Sequence, residues 1–189
     1  MALNRRLLES FNHFFSPRLW HGFRLLAVDG STARVPNTAD VIAIFGEPPT
    51  GASTLLARFS RSYDVSNHRV IEANFESRQV GERVLAGKHL AATQGQDLIL
   101  YDRGYPTFWL FALHAQEHRH FCARMPLGFS TEVSRFLASG QKSEVVLAKF
   151  PGPSILSTLW VAARSDPPTP DPRPTQERQN RGPRHFITR

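Results

Sequence analysis

The chain has 189 residues, 41% of them hydrophobic, which is enough to bury one core of ordinary size and argues against a second full domain. The formal net charge of +7 comes mostly from arginine and favours a polyanionic partner, of which nucleic acid is the commonest, although a GC-rich genome also enriches arginine. The single cysteine excludes an intramolecular disulfide, and no apolar run could serve as a signal peptide or a membrane span, so we expect a cytoplasmic protein without membrane contact.

The first part of the chain predicts a helix followed by extended segments. Apolar residues recur at helical spacing over residues 2–15, which predicts an amphipathic helix. The run FRLLAVDGS then predicts a short strand that ends at Asp29-Gly30, and VIAIF, before Gly46, predicts another strand-like run. Residues 54–77 alternate apolar and polar side chains around a turn at residues 65–67, which predicts a β-hairpin.

The second part predicts alternating helices and strands. Residues 78–93 are expected to form a helix, and LILYD a buried strand that ends at Asp102. A largely buried helix follows over residues 106–117, and then a strand in HRHFCARMP. Beyond it, STEVSRFLAS predicts a short helix capped by Ser130 or Thr131, and SEVVLAKF a strand.

These elements give a mixed α/β layout in which the first and the fourth strand end in an acid. We divide the chain into an N-terminal helical segment, residues 1–22, and one α/β domain, residues 23–150. The remainder, residues 151–189, is rich in proline and arginine and too poor in apolar residues to offset the entropy of ordering, so we expect a disordered tail.

Two motif-like patterns fail on their chemistry. Gly46 and Gly51 are spaced as at the start of a phosphate-binding loop, but Ala52 stands where that loop needs lysine, and a proline pair removes backbone donors. The sequence HAQEH, from His114 to His118, matches the pattern of inverted zinc peptidases. Its second histidine falls where the helix already gives way to a strand, so we expect no zinc site.

The two acids at strand ends are more informative as a pair. An aspartate before a glycine is often only a turn residue, and for either acid alone that interpretation is the stronger one. In a ribonuclease H type of sheet, however, the first and fourth strands are parallel neighbours, which would place Asp29 and Asp102 side by side at one edge. Two such carboxylates can hold Mg²⁺, with water and substrate phosphate completing the coordination shell.

The segments LLAVDGSTARVPNT and LILYDRGYPTFWLFALHAQEHRHFCARMP resemble the first and second catalytic-aspartate blocks of bacterial DDE transposases of the insertion-sequence four family. The resemblance runs from about Leu7 to Val146. It implies a ribonuclease H-like mixed sheet with flanking helices, and transposon-end DNA as the substrate of two-metal Mg²⁺ chemistry on phosphodiesters. By the same resemblance, Asp29 and Asp102 are the catalytic metal ligands, and Arg103 orients Asp102 or contacts DNA phosphate.

The family's third acid is a glutamate within a signature that also holds a tyrosine, an arginine and a lysine. After Tyr105 the chain has no tyrosine, and after Lys149 no lysine, so this signature is absent downstream of Asp102. Glu177 lies among prolines and arginines and is assigned no role. We therefore expect a fold that is incomplete at its C-terminal side, from a truncated or frameshifted reading frame or from the upstream half of a programmed two-frame product.

Two functional hypotheses follow. In the first, the chain is a DDE transposase that is inactive in this form, unless Glu132, Glu144 or Glu177 completes the site. In the second, it is a non-catalytic DNA-binding remnant that interferes with full-length transposase, by self-association or by pairing with it. DNA is the expected partner in both.

Overall fold

The computed structural model describes residues 2–126, 128–141, 143–149, 156–162 and 185–188. Five α-helices are described: α1 (Ala2–Phe14), α2 (Ala39–Phe45), α3 (Glu82–His89), α4 (Phe108–Gln116) and α5 (Thr131–Ser139), with a 3-10 turn at Leu90–Ala92. The described strands are β1 (Arg24–Val35), β2 (Leu55–Asp64), β3 (Arg69–Ser77), β4 (Asp97–Tyr101), β5 (His120–Arg124), β6 (Ser143–Lys149), β7 (Leu156–Ala162) and β8 (His185–Thr188). The predicted mixed α/β class is confirmed.

The strands form one mixed sheet in the order β3-β2-β1-β4-β5-β8-β7-β6. The hairpin β2-β3 is antiparallel and adds to β1, as its alternating sequence predicts. The strands β1, β4 and β5 run parallel to one another, and helices α3 and α4 lie in the connections between them. Helices that cross between parallel strands cover a face of the sheet, and here they enclose the core.

The core lies between one face of the central strands and helices α3, α4 and α5. Alternate residues of β1, β4 and β5 are buried on this face, as the two-residue period of a strand requires. Phe111 of α4 stacks on Phe121 of β5 with ring centroids 4.5 Å apart. The buried cluster comprises Leu26, Val28, Ala86, Leu90, Ile99, Tyr101, Tyr105, Leu110, Phe111, Phe121, Ala123, Met125, Val133 and Phe136.

The predicted end of the first strand at Asp29-Gly30 is wrong. Strand β1 continues to Val35, because the antiparallel partner β2 pairs with it from Leu26 through Val35. What ends near Asp29 is the pairing of β1 with β4, whose last register partners are Ala27 and Leu100. Asp29 therefore lies within β1, just beyond the segment of this strand that pairs with β4.

The prediction of a strand-like run at VIAIF is also wrong. These residues lie in helix α2, which is followed by Gly46 with a positive φ of 87°. The helix has seven residues and none of them is buried. A short apolar run does not distinguish a strand from a helix by periodicity, so the contacts of α2 with β2 and β3 decide its conformation.

Most of the other elements match their predictions. Helix α1 and strands β5 and β6 are confirmed with small shifts of their ends, and α3 begins only after Gly81. Helix α5 is capped by Ser130, whose hydroxyl accepts from the Val133 backbone N–H at 3.2 Å, and not by Thr131. Within the described residues, no helix combines the length and apolar character needed to cross a membrane.

Strands β7 and β8 fall within residues 151–189, for which the sequence predicts disorder. For these two short stretches the structure assigns strand, and both LSTLWVA and HFIT contain the β-branched and aromatic residues that favour it. Strand β8 pairs with β5 on one side and β7 on the other. The rest of the predicted tail lies outside the described residues, so its disorder remains a prediction.

Candidate functional site

Asp29 and Asp102 are brought to the same edge of the sheet. Strands β1 and β4 are parallel neighbours, with Leu26 opposite Ile99 and Ala27 opposite Leu100. The pairing ends there, and the same register extended by two residues would align Asp29 with Asp102. Neighbouring strands are about 4.8 Å apart, so two carboxylates in this relation lie within reach of one another. Both side chains are 69% exposed, which leaves them open to solvent and to ligands.

Each aspartate is flanked by an arginine from the next strand outward. Arg61 of β2 is the register partner of Asp29, and its Nη2 lies 3.9 Å from Asp29 Oδ2. Arg124 of β5 follows Ala123, the partner of Tyr101, and its Nη1 donates to Asp102 Oδ1 at 3.2 Å. Four adjacent strands thus carry a charged row in the order Arg61, Asp29, Asp102, Arg124.

The charged row lies on the side of the sheet opposite the helix-covered core. Leu26 and Val28 of β1 are buried in the core, whereas Ala27 and Asp29, which alternate with them, point the other way. The next residues inward from the row on this second face are Ala27, Leu100 and Cys122, all half-buried. The charges therefore stand at the rim of a partly covered apolar surface.

Gly30 lets a second group of polar side chains approach the strand from the core side. A Cβ on Gly30 would lie 3.2 Å from Glu82 Cγ and 3.3 Å from the Tyr105 hydroxyl. Glu82 begins α3 and is ion-paired with Arg58 of β2. The glycine after the first aspartate thus allows this close packing and does not mark a turn.

The Tyr105 hydroxyl stays protonated in this setting. Its side chain is buried, its hydroxyl has no hydrogen-bond partner among the residues that the structure describes, and burial is the main cause that raises its pKa to about 12. The negative charges of Glu82, Asp29 and Asp102 act in the same direction, and Arg58 opposes them. The electrostatic influence of all three carboxylates thus meets at one buried hydroxyl behind the row.

The turn after β4 is held by one backbone hydrogen bond and by the side chain of Arg83. The Tyr105 N–H donates to the Asp102 carbonyl at 3.1 Å, and Arg83 Nε donates to the Gly104 carbonyl at 2.8 Å. Arg103 lies exposed within this turn, next to Asp102 in sequence. The ion pair of Asp102 is with Arg124. Arg103 lies near the row through its position in the sequence, and its contact with a DNA phosphate remains a prediction.

The oxygen donors of the two aspartates suit a hard divalent cation such as Mg²⁺, which usually keeps several waters and takes one or two carboxylates from a protein. Among the described residues, no group of three or more metal-binding side chains converges. The donor chemistry of Asp29 and Asp102 therefore fits Mg²⁺, but with two protein carboxylates rather than three.

Neither Glu132 nor Glu144, the other acids considered from the sequence that the structure describes, lies in the row. Glu132 is exposed in the first turn of α5, where backbone and Ser130 hydrogen bonds lower its pKa, as for a carboxylate that completes a helix cap. Glu144 lies in β6, which is separated from β5 by two strands. Glu177 lies outside the described residues.

The HAQEH histidines do not form a zinc site. His114 is buried in α4, where its Nε2 lies 3.0 Å from the Tyr101 hydroxyl. Helix α4 ends at Gln116, and His118 beyond it has a positive φ of 52°. Two ligands four residues apart share a helical face only if the helix continues through both, and α4 ends before His118.

The sequence reasoning did not identify Arg61, Arg124, Glu82 or Tyr105. A usable signal existed for Arg124, since it follows the buried part of β5 as Asp102 follows that of β4. For Arg61 there was none, because its position opposite Asp29 depends on the register of a hairpin whose turn lies several residues away.

One curated protein is similar to this chain. The transposase InsG of insertion sequence element IS4 from Escherichia coli strain K12 is 29% identical over 126 residues. The match covers 64% of this chain but only 28% of that relative's length. No family model matches the chain, and no solved structure matches it. The similarity supports a distant relationship to a transposase.

Proposed function

We propose that this chain contains part of the catalytic domain of a DDE transposase of the insertion-sequence four type, with a ribonuclease H-like sheet that acts on transposon-end DNA. The observation that carries the proposal is the parallel register of β1 and β4, whose extension by two residues beyond the Ala27–Leu100 pair would align Asp29 with Asp102. The strand order β3-β2-β1-β4-β5, with only β2 antiparallel to its two neighbours, supports it. The distant similarity to the InsG transposase supports it independently.

In this proposal Asp29 and Asp102 hold Mg²⁺ at the sheet edge. When bound, two such ions would stabilise the attacking and leaving oxygens of a phosphodiester. The contribution of the chain is to fix both carboxylates on rigid neighbouring strands, so that little freedom is lost on binding. Arg103, in the turn that follows Asp102, is proposed to contact a DNA phosphate.

The described residues supply two acids at this site and not three. We therefore propose that the chain in this form does not cut or join DNA, because the second metal lacks a fixed ligand. Misplacing a reacting group costs on the order of a hundredfold in rate, and the loss of a ligand is expected to cost more. The relative is much longer, so the remainder of such a site can belong to sequence that this chain does not align with.

Metal binding is the first test. Titration with Mn²⁺, followed by the electron paramagnetic resonance of the free ion, should give binding by the wild-type chain that Asp29→Asn and Asp102→Asn each weaken strongly. The exposed Asp40→Asn, in α2 away from the row, is the matched control and should bind as the wild type does. Equal binding by all variants would contradict the proposed site.

Activity is the second test. Labelled duplexes taken from the DNA that flanks the chain's own gene should remain intact in the presence of Mg²⁺ or Mn²⁺. Metal-dependent nicking that Asp102→Ala abolishes would show that another acid, such as Glu132, Glu144 or Glu177, completes the site. The transposase relationship would then stand and the proposed inactivity would fall.

The second candidate function is a non-catalytic DNA-binding remnant that interferes with full-length transposase. The net charge of +7 and the two-acid site favour it. DNA affinity that falls steeply with salt but does not depend on Mg²⁺ would support this function over a metal-dependent one. Co-expression with full-length transposase should then lower the transposition frequency, whether the chain competes for DNA or pairs with the enzyme.

A further inference from the structure

The charged row has a symmetry that the two aspartates alone do not explain. Its acids occupy the two inner strands, and its arginines, Arg61 and Arg124, the two outer ones. Three strand spacings separate the arginines, or about 14 Å. All four residues are in or next to register, so their side chains project from the same face of the sheet. A ligand that reaches the acids therefore has a guanidinium on either side.

The charges of the row cancel only while no cation is bound. Two carboxylates on neighbouring strands repel one another, and each flanking arginine offsets one of the negative charges. A single divalent cation between the acids would give the row a net charge of +2. The excess positive charge would then lie on the arginines, beside the position at which a phosphate would approach the carboxylates.

A competing ligand can replace a partner in either of the two ion pairs of the row. Arg61 and Arg124 are about half exposed, and their contacts with the aspartates measure 3.9 Å and 3.2 Å. Exposed pairs of this kind contribute little to stability, so a competing ligand can replace either partner. Arginine binds phosphate through a planar fork of donors, often with two hydrogen bonds at once.

We propose that Arg61 and Arg124 are phosphate-binding residues that neutralise Asp29 and Asp102 in the absence of a cation and turn to DNA phosphates when a divalent cation occupies the acids. This proposal rests on the proposed function. It makes cation and DNA binding mutually reinforcing, because each ligand releases groups that the other needs. The arginines compete with the cation for the carboxylates but assist DNA, so their removal has opposite effects on the two ligands.

The first experiment measures cation binding without DNA. Arg61→Gln and Arg124→Gln should each bind Mn²⁺ more tightly than the wild type, by up to about fivefold, since a competing exposed ion pair is removed. The effect should be larger for Arg124, whose contact is shorter. The control is Arg34→Gln, which removes the same charge from an exposed position of β1 on the other side of the strand.

The second experiment measures DNA binding by the fluorescence anisotropy of a short labelled duplex across a range of salt concentrations. With Mg²⁺ present, each variant should bind more weakly, and the slope of log affinity against log salt should fall by about one for each arginine. With EDTA in place of Mg²⁺, the variants should approach Arg34→Gln, because the arginines are then engaged by the aspartates. Arg124→Lys keeps the charge without the fork and should fall between wild type and Arg124→Gln with Mg²⁺.

The outcomes separate this proposal from the proposed function. Tighter Mn²⁺ binding with weaker Mg²⁺-dependent DNA binding would support it, and a merely structural role would leave DNA binding unchanged. If wild type binds DNA with Mg²⁺ while Arg61→Gln and Arg124→Gln match Arg34→Gln, the phosphate-binding role is overturned and the proposed function stands. If the wild-type chain binds neither Mn²⁺ nor DNA, both fall.

Discussion

The segment over which β1 and β4 pair has charged residues at its beginning and just beyond its end, and the two ends are built differently. At the beginning, Arg24 of β1 faces Asp97 of β4 in a two-point ion pair, with both hydrogen bonds 2.7 Å long. At the other end, Asp29 and Asp102 adjoin with the same sign of charge. The first pair is largely buried, and the carboxylates of the second are exposed.

The difference separates a structural use of charge from the use that we propose for Asp29 and Asp102. A buried charge needs a partner with good geometry, and Asp97 also accepts from the Gln94 N–H at 2.7 Å. Its Coulombic attraction and hydrogen bond raise the pKa of Arg24, against an opposing effect of burial. Two adjacent like charges contribute nothing of this kind to the fold. Their placement becomes intelligible when a cation or a phosphate is part of the site.

The largest expected effect is at the buried end. Asp97→Ala removes the partner of a guanidinium that is only 13% exposed, so the free energy of unfolding should fall by about 3–5 kcal/mol. Asp102→Ala, five residues further along the chain and just after the end of β4, should change it by no more than about 0.5 kcal/mol. Urea denaturation of both variants measures the contrast. Equal losses would show that both ends of the strand pair are structural.

A pH dependence should come from another buried polar group. His89 of α3 is buried between the Ser60 hydroxyl, 3.0 Å from Nε2, and the Glu72 carboxylate, 2.9 Å from Nδ1. Burial lowers the pKa of His89 below its ordinary value of 6.5, although Glu72 acts in the opposite direction. Below about pH 6.5 the unfolded chain therefore binds a proton that the folded chain resists.

The stability contributed by His89 is accordingly present above pH 6.5 and is lost as the pH falls toward its lowered pKa. For one proton the slope cannot exceed about 1.4 kcal/mol per pH unit. Urea midpoints measured between about pH 7.5 and 5 should fall more steeply for wild type than for His89→Gln. Parallel curves for the two proteins would show that His89 does not titrate differently in the two states.

A smaller effect is expected from the glycine behind the acids. In Gly30→Ala the new methyl group meets Glu82 Cγ and the Tyr105 hydroxyl at distances that require a small shift, so the loss should be about 1 kcal/mol. Gly95→Ala is the control, because no atom of the described residues lies within 4 Å of its added Cβ. If thermal denaturation does not distinguish the two variants, the Glu82 side chain moves away from the added methyl group without a loss of stability.

The sequence predicted the relation of the two strands that precede the aspartates better than the extent of the first one. Alternation and turn residues were enough for the β2-β3 hairpin, and the parallel pairing of β1 with β4 was expected from a ribonuclease H type of sheet. The end of β1 was mispredicted because its last six residues are stabilised by pairing with β2. The local periodicity of the sequence does not indicate them as a strand.

Helix α2 and the arginines of the row illustrate the same limit. The run VIAIF is apolar without a period, and only its tertiary contacts distinguish a helix from a strand. Arg61 and Arg124 are ordinary strand residues in the sequence, and their relation to the acids exists only once three pairwise registers are fixed. Local patterns predict elements, whereas a row across four strands depends on all of their alignments together.

The smallest expected effect on stability, and the most informative about function, is that of Asp29→Asn. The amide keeps the size of the carboxylate and removes one of two neighbouring like charges, so the free energy of unfolding should change by less than about 0.5 kcal/mol or rise slightly. The same substitution should nearly abolish Mn²⁺ binding, because it removes one of the two charged ligands. A paired measurement, urea denaturation beside a metal titration, tests both statements on one protein sample. Asp97→Asn completes the comparison, since it should lower stability and leave the residues of the charged row in place. Should Asp29→Asn instead destabilise the fold as Asp97→Asn does, the acids would belong to the scaffold, and the distinction between the two ends of this strand pair would not hold.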